Sequence, residues 1–303
     1  MQTINNLKVG LILPLTGSCA TLGIDFLHGV DLAYLNHKST FTYYVLDCQS
    51  SPSMAINQAE ELIKEKQIDI LVSLQTTVVM ALVKIANLYK LPLLGITAAD
   101  KFIENSKYTF QLYPSAKEEA QLAASFVHEK GLNNMAILTI DNEFGKDYRE
   151  HFKKNFQGNV VFDKTFNENE TDFCAYLKDM QDADGVYFIA YPDQHINFFK
   201  QRENEGLGNI MVISTTDLRS EYVSAKLKGL LYNTYSTTPL VVLKSNQTAH
   251  FFDEYNNKHA RNPDFTALFG YDLVSILNEL NPSTILKSLK EIDLDGLIGN
   301  IKF

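Results

Sequence analysis

The residues most able to do chemistry follow apolar runs. In the first half these are Gln75-Thr76-Thr77 after Ile68–Leu74 and Thr97-Ala98-Ala99-Asp100 after Leu91–Ile96, with Pro14 to Gly23 after Leu7–Leu13. In the second half they are Asp141-Asn142-Glu143-Phe144-Gly145, Tyr191-Pro192-Asp193 and Thr215-Thr216-Asp217-Leu218-Arg219. Two hydroxyls and free backbone N–H groups opening a helix, as at Thr76 and Thr77, make a site for a carboxylate. The same two residues also serve as plain N-caps. Aromatic Phe144 and Tyr191 beside polar neighbours suit a small ligand with a polar head and an apolar body. Ordinary packing at a sheet edge explains them as well.

Other chemistry is missing from the pattern. No phosphate loop, dinucleotide turn, nucleophile elbow, zinc helix or CxxC pair occurs. His28, His37, His128, His151, His195, His250 and His259 lack metal-ligand spacing, and most fall in expected helices as a solvated polar face. Glu118-Glu119 reads as charge at a helix entry, favourable to the helix dipole and not an acid–base pair. Cys19, Cys48 and Cys174 are too few for a disulfide framework or a thiolate metal site. The expectation is a non-enzymatic chain without metal or cofactor.

The elements that must position these residues alternate. Expected strands are Leu7–Leu13, Phe41–Leu46, Ile68–Leu74, Leu91–Ile96 and Tyr108–Leu112; expected helices are Ile24–Asn36, Met54–Lys66 and Val78–Leu88. From Ala116 the pattern restarts, with helix Ala116–Glu129, strand Met135–Ile140, helix Lys146–Asn155, a short strand Val160–Phe162, and then Phe173–Met180, Gly185–Ala190, His195–Glu205 and Ile210–Ile213. Near-continuous apolar strands between helices imply parallel sheets flanked by helices. Leu22-Gly23 and Phe144-Gly145 stand at matching places in the two halves. The end of the chain adds helices at His250–His259, Tyr271–Leu280 and Ser283–Lys290 and a strand at Gly299–Phe303, too little for a domain of its own. Junctions are expected near 113–115 and 237–239, giving one discontinuous lobe of 6–112 plus 241–303 and a second of 113–240.

With 303 residues, 45% hydrophobic and 21% charged, the composition is that of an ordinary globular chain. A net charge of −9 with no basic block argues against nucleic acid and anionic membrane partners. No run reaches the roughly 18 apolar residues of a membrane span, so no direct membrane insertion is expected. Residues Met1 to Asn6 lack a basic segment leading into an apolar one. A native start there would make the protein cytoplasmic, whereas a trimmed leader would leave it periplasmic or extracellular.

The chain resembles the type I periplasmic binding proteins, in the leucine/isoleucine/valine-binding branch of ABC-transporter receptors. The matching stretches are KVGLILPLTG with Gly23, DILVSLQTT, LPLLGITAAD, AILTIDNEFGKD, GVYFIAYPDQ and DLDGLIGNIKF, in order from about Leu7 to Phe303. The resemblance implies a two-lobed clamshell of Rossmann-like lobes that closes on a small ligand by hinge motion. It implies that Thr76, Thr77 and Ala99, beside Gln75, hold an amino-acid carboxylate, that the Thr97 carbonyl and Thr216 or Asp217 hold the ammonium, and that Leu22, Leu74, Phe144 and Tyr191 enclose the side chain. A zwitterion taken from water needs such partners. The family cysteine that often pairs with one near Cys48 is matched by Gln75, so that disulfide is expected to be missing. Arg219 would favour a second ligand carboxylate if Asp217 points away. The implied function is a monomeric solute receptor handing an aliphatic or aromatic amino acid to an ABC permease. A ligand-sensing regulator or receptor on the same fold, or a binder of another carboxylate, is the alternative.

Overall fold

A computed structural model of the chain describes residues 6–104, 106–238 and 245–303. Pro239 of the second expected junction lies outside the described residues, as do 240 and 241–244 at the expected lobe ends and Met1 to Asn5. Two compact units divide the chain, Met1–Tyr113 with Pro239–Phe303, and Pro114–Thr238.

The first unit is built on β1 (Lys8–Leu13), β2 (Thr42–Asp47), β3 (Ile70–Leu74), β4 (Leu93–Ile96) and β5 (Thr109–Gln111). All pair in parallel, in the order β2-β1-β3-β4-β5. Residues of β1 and β3 are almost wholly buried, which is why they read as continuous apolar runs. Helices α1 (Ala20–Asn36), α2 (Pro52–Glu61), α3 (Thr76–Tyr89) and the short α4 (Lys101–Glu104) connect them, α2 ending in a π-helical turn at Leu62–Lys66. Ala55, Ala59, Val78, Val79, Leu82, Ile85 and Phe102 pack on Ile12, Leu71 and Leu93 as one core.

The second unit repeats the plan with β6 (Asn134–Ile140), β7 (Asn159–Phe166), β8 (Gly185–Ile189), β9 (Met211–Ser214) and β10 (Thr234–Ser236), again all parallel, in the order β10-β9-β8-β6-β7. Its helices are α5 (Ala116–Glu129), α6 (Glu143–Asn155), α7 (Cys174–Asp179), α8 (Pro192–Asn204) and α9 (Glu221–Lys226). Taken from its own first strand, each sheet has the order 2-1-3-4-5 of a doubly wound fold, with its switch point between the first and third strands. The expected fold class, two parallel α/β lobes flanked by helices, is the one present.

The last segment holds α10 (Asn246–His259), α11 (Phe265–Glu279), α12 (Ile285–Lys290) and the antiparallel hairpin of β11 (Asp293–Gly296) and β12 (Gly299–Lys302). Helix α11 lies against α1 at glycine distance. A methyl group on Gly29 would strike the Ala267 carbonyl oxygen, and one on Gly270 the Phe26 carbonyl oxygen. Buried Asp272 of α11 accepts the N–H groups of Leu297 (2.8 Å) and Ile298 (2.9 Å), closing the hairpin turn onto the helix.

Several expected bounds are corrected. Helices α1, α3, α6, α8, α10 and α11 start two to six residues before the apolar stripe that marked them, because their first turns carry residues that do not extend the stripe. Strand β7 runs eight residues instead of three, since Phe162 and Phe166 keep facing inward beyond a register shift opposite Met135/Ala136. Strands β10 and β11 and helices α4 and α9 are short elements with no periodic signature to read.

Candidate functional site

In the first unit, Leu74 pairs with Ile96 at the ends of β3 and β4, so the segments that follow leave the sheet side by side. Gln75, not a threonine, is the N-cap residue of α3; it has φ 77° and ψ 119° and makes no side-chain cap. That backbone region is costly for a residue with a Cβ, about 1–3 kcal/mol. Gln75 is buried, and its Oε1 has no hydrogen-bond partner among the described residues. Thr76 and Thr77 are therefore the first two helical residues, which corrects their reading as N-caps. Their N–H groups open a helix of 14 residues without a capping side chain, the arrangement that attracts an anion.

The Thr76 and Thr97 hydroxyl oxygens are 3.0 Å apart and buried. Their mutual bond uses one of two hydroxyl protons. The Ala99 N–H donates to the Thr97 hydroxyl (3.2 Å) and so is already engaged. The Thr97 carbonyl, expected to face an ammonium, accepts from Gln111 Nε2 at 2.9 Å, leaving it one lone pair. Gln111, at the end of β5, escaped the sequence reading; its position at a strand end was the signal. Leu22, buried on the first turns of α1, follows β1 across the switch point from β3.

In the second unit the same switch point lies between β6 and β8. Phe144 sits in the first turn of α6 after β6, and Tyr191 caps α8 after β8. The structure brings them together. Their rings stack at 5.6 Å between centroids and 13° between planes, both buried. Asn142 caps α6 by accepting from the Gly145 N–H (3.1 Å), and its amide donates to the Tyr191 hydroxyl (3.2 Å) and to Glu168. Gln194 accepts from the Tyr191 N–H at 2.9 Å. Asn142 was named only within its stretch and Gln194 not singled out, although an Asn before a helix and a Gln at its third residue are capping signals.

Thr216 and Asp217 lie on a 3₁₀ turn, Thr216–Arg219, directly after β9 and next to β8 in the sheet. Both are buried, and the Thr215 hydroxyl donates to Asp217 Oδ2 at 3.3 Å. Arg219 is exposed and donates to the Ser236 hydroxyl.

Two residues, one read as part of a solvated face and one as charge at a helix entry, are buried. His195 is fully buried, its Nδ1 3.1 Å from the Tyr191 carbonyl oxygen and its Nε2 2.8 Å from the Ser214 hydroxyl. A carbonyl cannot donate, so Nδ1 carries the proton. Burial lowers the pKa of this imidazole to about 3, which keeps it neutral. Glu119 is also buried, at 4% exposure, and accepts from the Tyr148 hydroxyl (2.8 Å) and from the Thr237 hydroxyl.

Among the described residues, no cluster of three or more His, Cys, Asp or Glu could hold a metal ion. No described helix is long and apolar enough to cross a membrane. The three cysteines are free thiols, and burial pushes the Cys48 thiol up to about 11.

Residues 6–303 match the family model of the periplasmic binding proteins. No match was found among curated protein sequences. Similar solved structures include the branched-chain amino acid transporter substrate-binding protein LivJ of Streptococcus pneumoniae in complex with isoleucine, with a TM-score of 0.89 and 21% identity over 99% of this chain and 92% of that one. An ABC-transporter solute-binding protein of R. palustris in complex with benzoate has a TM-score of 0.90 and 21% identity, over 99% and 89%. The leucine-binding protein LivK of Thermotoga maritima has a TM-score of 0.88 and 18% identity, over 98% and 91%. At such identities the structures speak for the fold, and the match over residues 6–303 speaks for the family: the chain belongs to the periplasmic binding proteins.

Proposed function

We propose that the chain is the extracytoplasmic solute-binding component of an ABC transporter, a non-enzymatic monomer that takes a small carboxylate ligand and delivers it to a membrane permease. One observation carries the reading. The first turn of α3 lacks a side-chain cap, and beside it the Thr76–Thr97 pair holds one hydroxyl proton beyond its mutual bond. Three N–H groups and a hydroxyl match a carboxylate, and charge-assisted bonds are the stronger kind. Thr77 belongs to the same turn, and Gln75 and Ala99 shape it. Leu22, Leu74 and the stacked Phe144 and Tyr191 offer apolar surface for an aliphatic or aromatic body. The remaining lone pair of the Thr97 carbonyl and the Asp217 carboxylate beside Thr216 are the acceptors for an ammonium, so an amino acid is the first ligand class. Complexes of similar proteins with isoleucine and with benzoate support a carboxylate head.

A second reading is a carboxylate without an ammonium, such as a benzoate. Gln111 on the Thr97 carbonyl and Thr215 on Asp217 favour it, because each partly occupies an acceptor that an ammonium would use. A thermal-shift screen over amino acids, benzoates and aliphatic carboxylates separates the two. A ligand at 100 times its Kd adds about 2.7 kcal/mol of stability. Stabilisation by L-isoleucine or L-phenylalanine supports the first reading, and stabilisation by benzoates alone supports the second. No shift with any carboxylate overturns both.

A further inference from the structure

We infer that Glu119 is a positioning residue that ties the end of the Pro114–Thr238 unit to the Phe144–Tyr191 aromatic pair; this rests on the reading of that pair as a ligand wall. Helix α5 does not need Glu119 for its start, because Ser115 and Glu118 already form a reciprocal capping box. One residue further on, the Glu119 side chain turns inward and is 4% exposed. Burying a carboxylate is costly unless hydrogen bonds replace its water, and here two hydroxyls from separate segments do so, one on each carboxylate oxygen.

One is Tyr148 of α6, 2.8 Å away. Its buried ring meets Phe144 edge-on at 5.1 Å and 70°, and Phe144 stacks on Tyr191. The other is Thr237, just after β10, whose N–H also donates to the Ser214 carbonyl at 3.0 Å. Ser214 ends β9 and leads into Thr215–Asp217. Thr237 is the penultimate residue of this unit. Glu119 thus links the segment leaving the unit to the aromatic pair through a single packed tyrosine. A group needed only to fill space there would not have to be a carboxylate. Coupling free energies along such contacts correspond to about a 2- to 30-fold change in affinity.

A double-mutant cycle tests this. Thr237→Val removes only the hydroxyl, and Phe144→Leu removes the far end of the chain of contacts; both are read by calorimetric titration with L-isoleucine, and with 4-hydroxybenzoate as second probe. Thr237→Val alone is expected to weaken binding, Thr237→Ser to restore it, and Thr237→Val on top of Phe144→Leu to add less than twofold. Fully additive effects overturn the link. Amide hydrogen exchange reads it without ligand: Thr237→Val and Tyr148→Phe should each raise exchange at residues 143–148 while leaving β12 unchanged. Unchanged exchange at 143–148 in both overturns the proposal. If the wild-type protein binds neither probe, the exchange result decides the Glu119 link by itself, while the carboxylate screen decides the solute reading.

Discussion

The hydroxyl oxygens of Thr76 and Thr97 lie 3.0 Å apart, joining the first turn of α3 to the segment that leaves β4. The contact exists because Leu74 and Ile96 are paired across the sheet, so two stretches 21 residues apart in sequence leave at one level.

Thr76→Ala should therefore weaken binding of the ligand found in the screen by about 10- to 100-fold, the worth of a hydrogen bond to a charged group. Thr97→Val should do the same by leaving Thr76 without its partner. Isothermal titration checks both, and unchanged affinity in both would place the carboxylate elsewhere.

Gly29→Ala and Gly270→Ala should each lower stability by about 1–3 kcal/mol or more, as overpacking does. In each case the added methyl meets a carbonyl of the facing helix and not a movable side-chain end. Urea unfolding of the two variants reads this. Gly206, where an added methyl has open space but φ is 73°, should respond through backbone strain alone.

Burial pushes the Asp272 carboxyl up to about 6, against the two backbone N–H groups that favour its ionised form. The folded state thus holds this proton more tightly than the unfolded chain does. Its contribution is full below about pH 4 and is lost as pH rises through 6, by about 3 kcal/mol for a shift of about two units. Asp272→Asn should remove that pH dependence and cost stability by turning an amide N–H toward a backbone donor. Denaturation of both proteins between pH 4 and 8 compares them, and parallel curves would contradict the assignment.

His195 has the opposite sign in effect. Its folded pKa is about 3 while the unfolded ring titrates near 6.5, so the unfolded state binds the extra proton first. Stability should fall by about 1.4 kcal/mol for each pH unit below 6.5, and His195→Gln should flatten that fall. NMR titration of the ring provides the direct check, a normal midpoint being the contrary result.

Much of the architecture was legible because burial on both faces forces a strand to be continuously apolar. KVGLIL and ILVSL announce themselves, and their alternation with helices implies parallel sheets. The matched glycines Gly23 and Gly145 were legible as a repeat; the structure adds the reason, since a methyl on either would strike the carbonyl of Pro14 or Ile140 at the end of the preceding strand. Helix starts were misread where they matter most. Residues such as Thr76 and Phe144 occupy the first turn without contributing to the apolar stripe, so a reading based on periodicity begins the helix after them.

By itself, the sequence determined the fold class and the hydroxyl and aromatic character of the strand ends, both of which follow from local pattern. Only the tertiary structure decided which groups are still open there. That Gln111 occupies the Thr97 carbonyl, that His195 is buried against Ser214, and that Glu119 is buried against Tyr148 and Thr237 depend on contacts between segments separated in the chain. Hydrogen-bond valence is spent in three dimensions, and a one-dimensional pattern of polar residues cannot say which partner has claimed it.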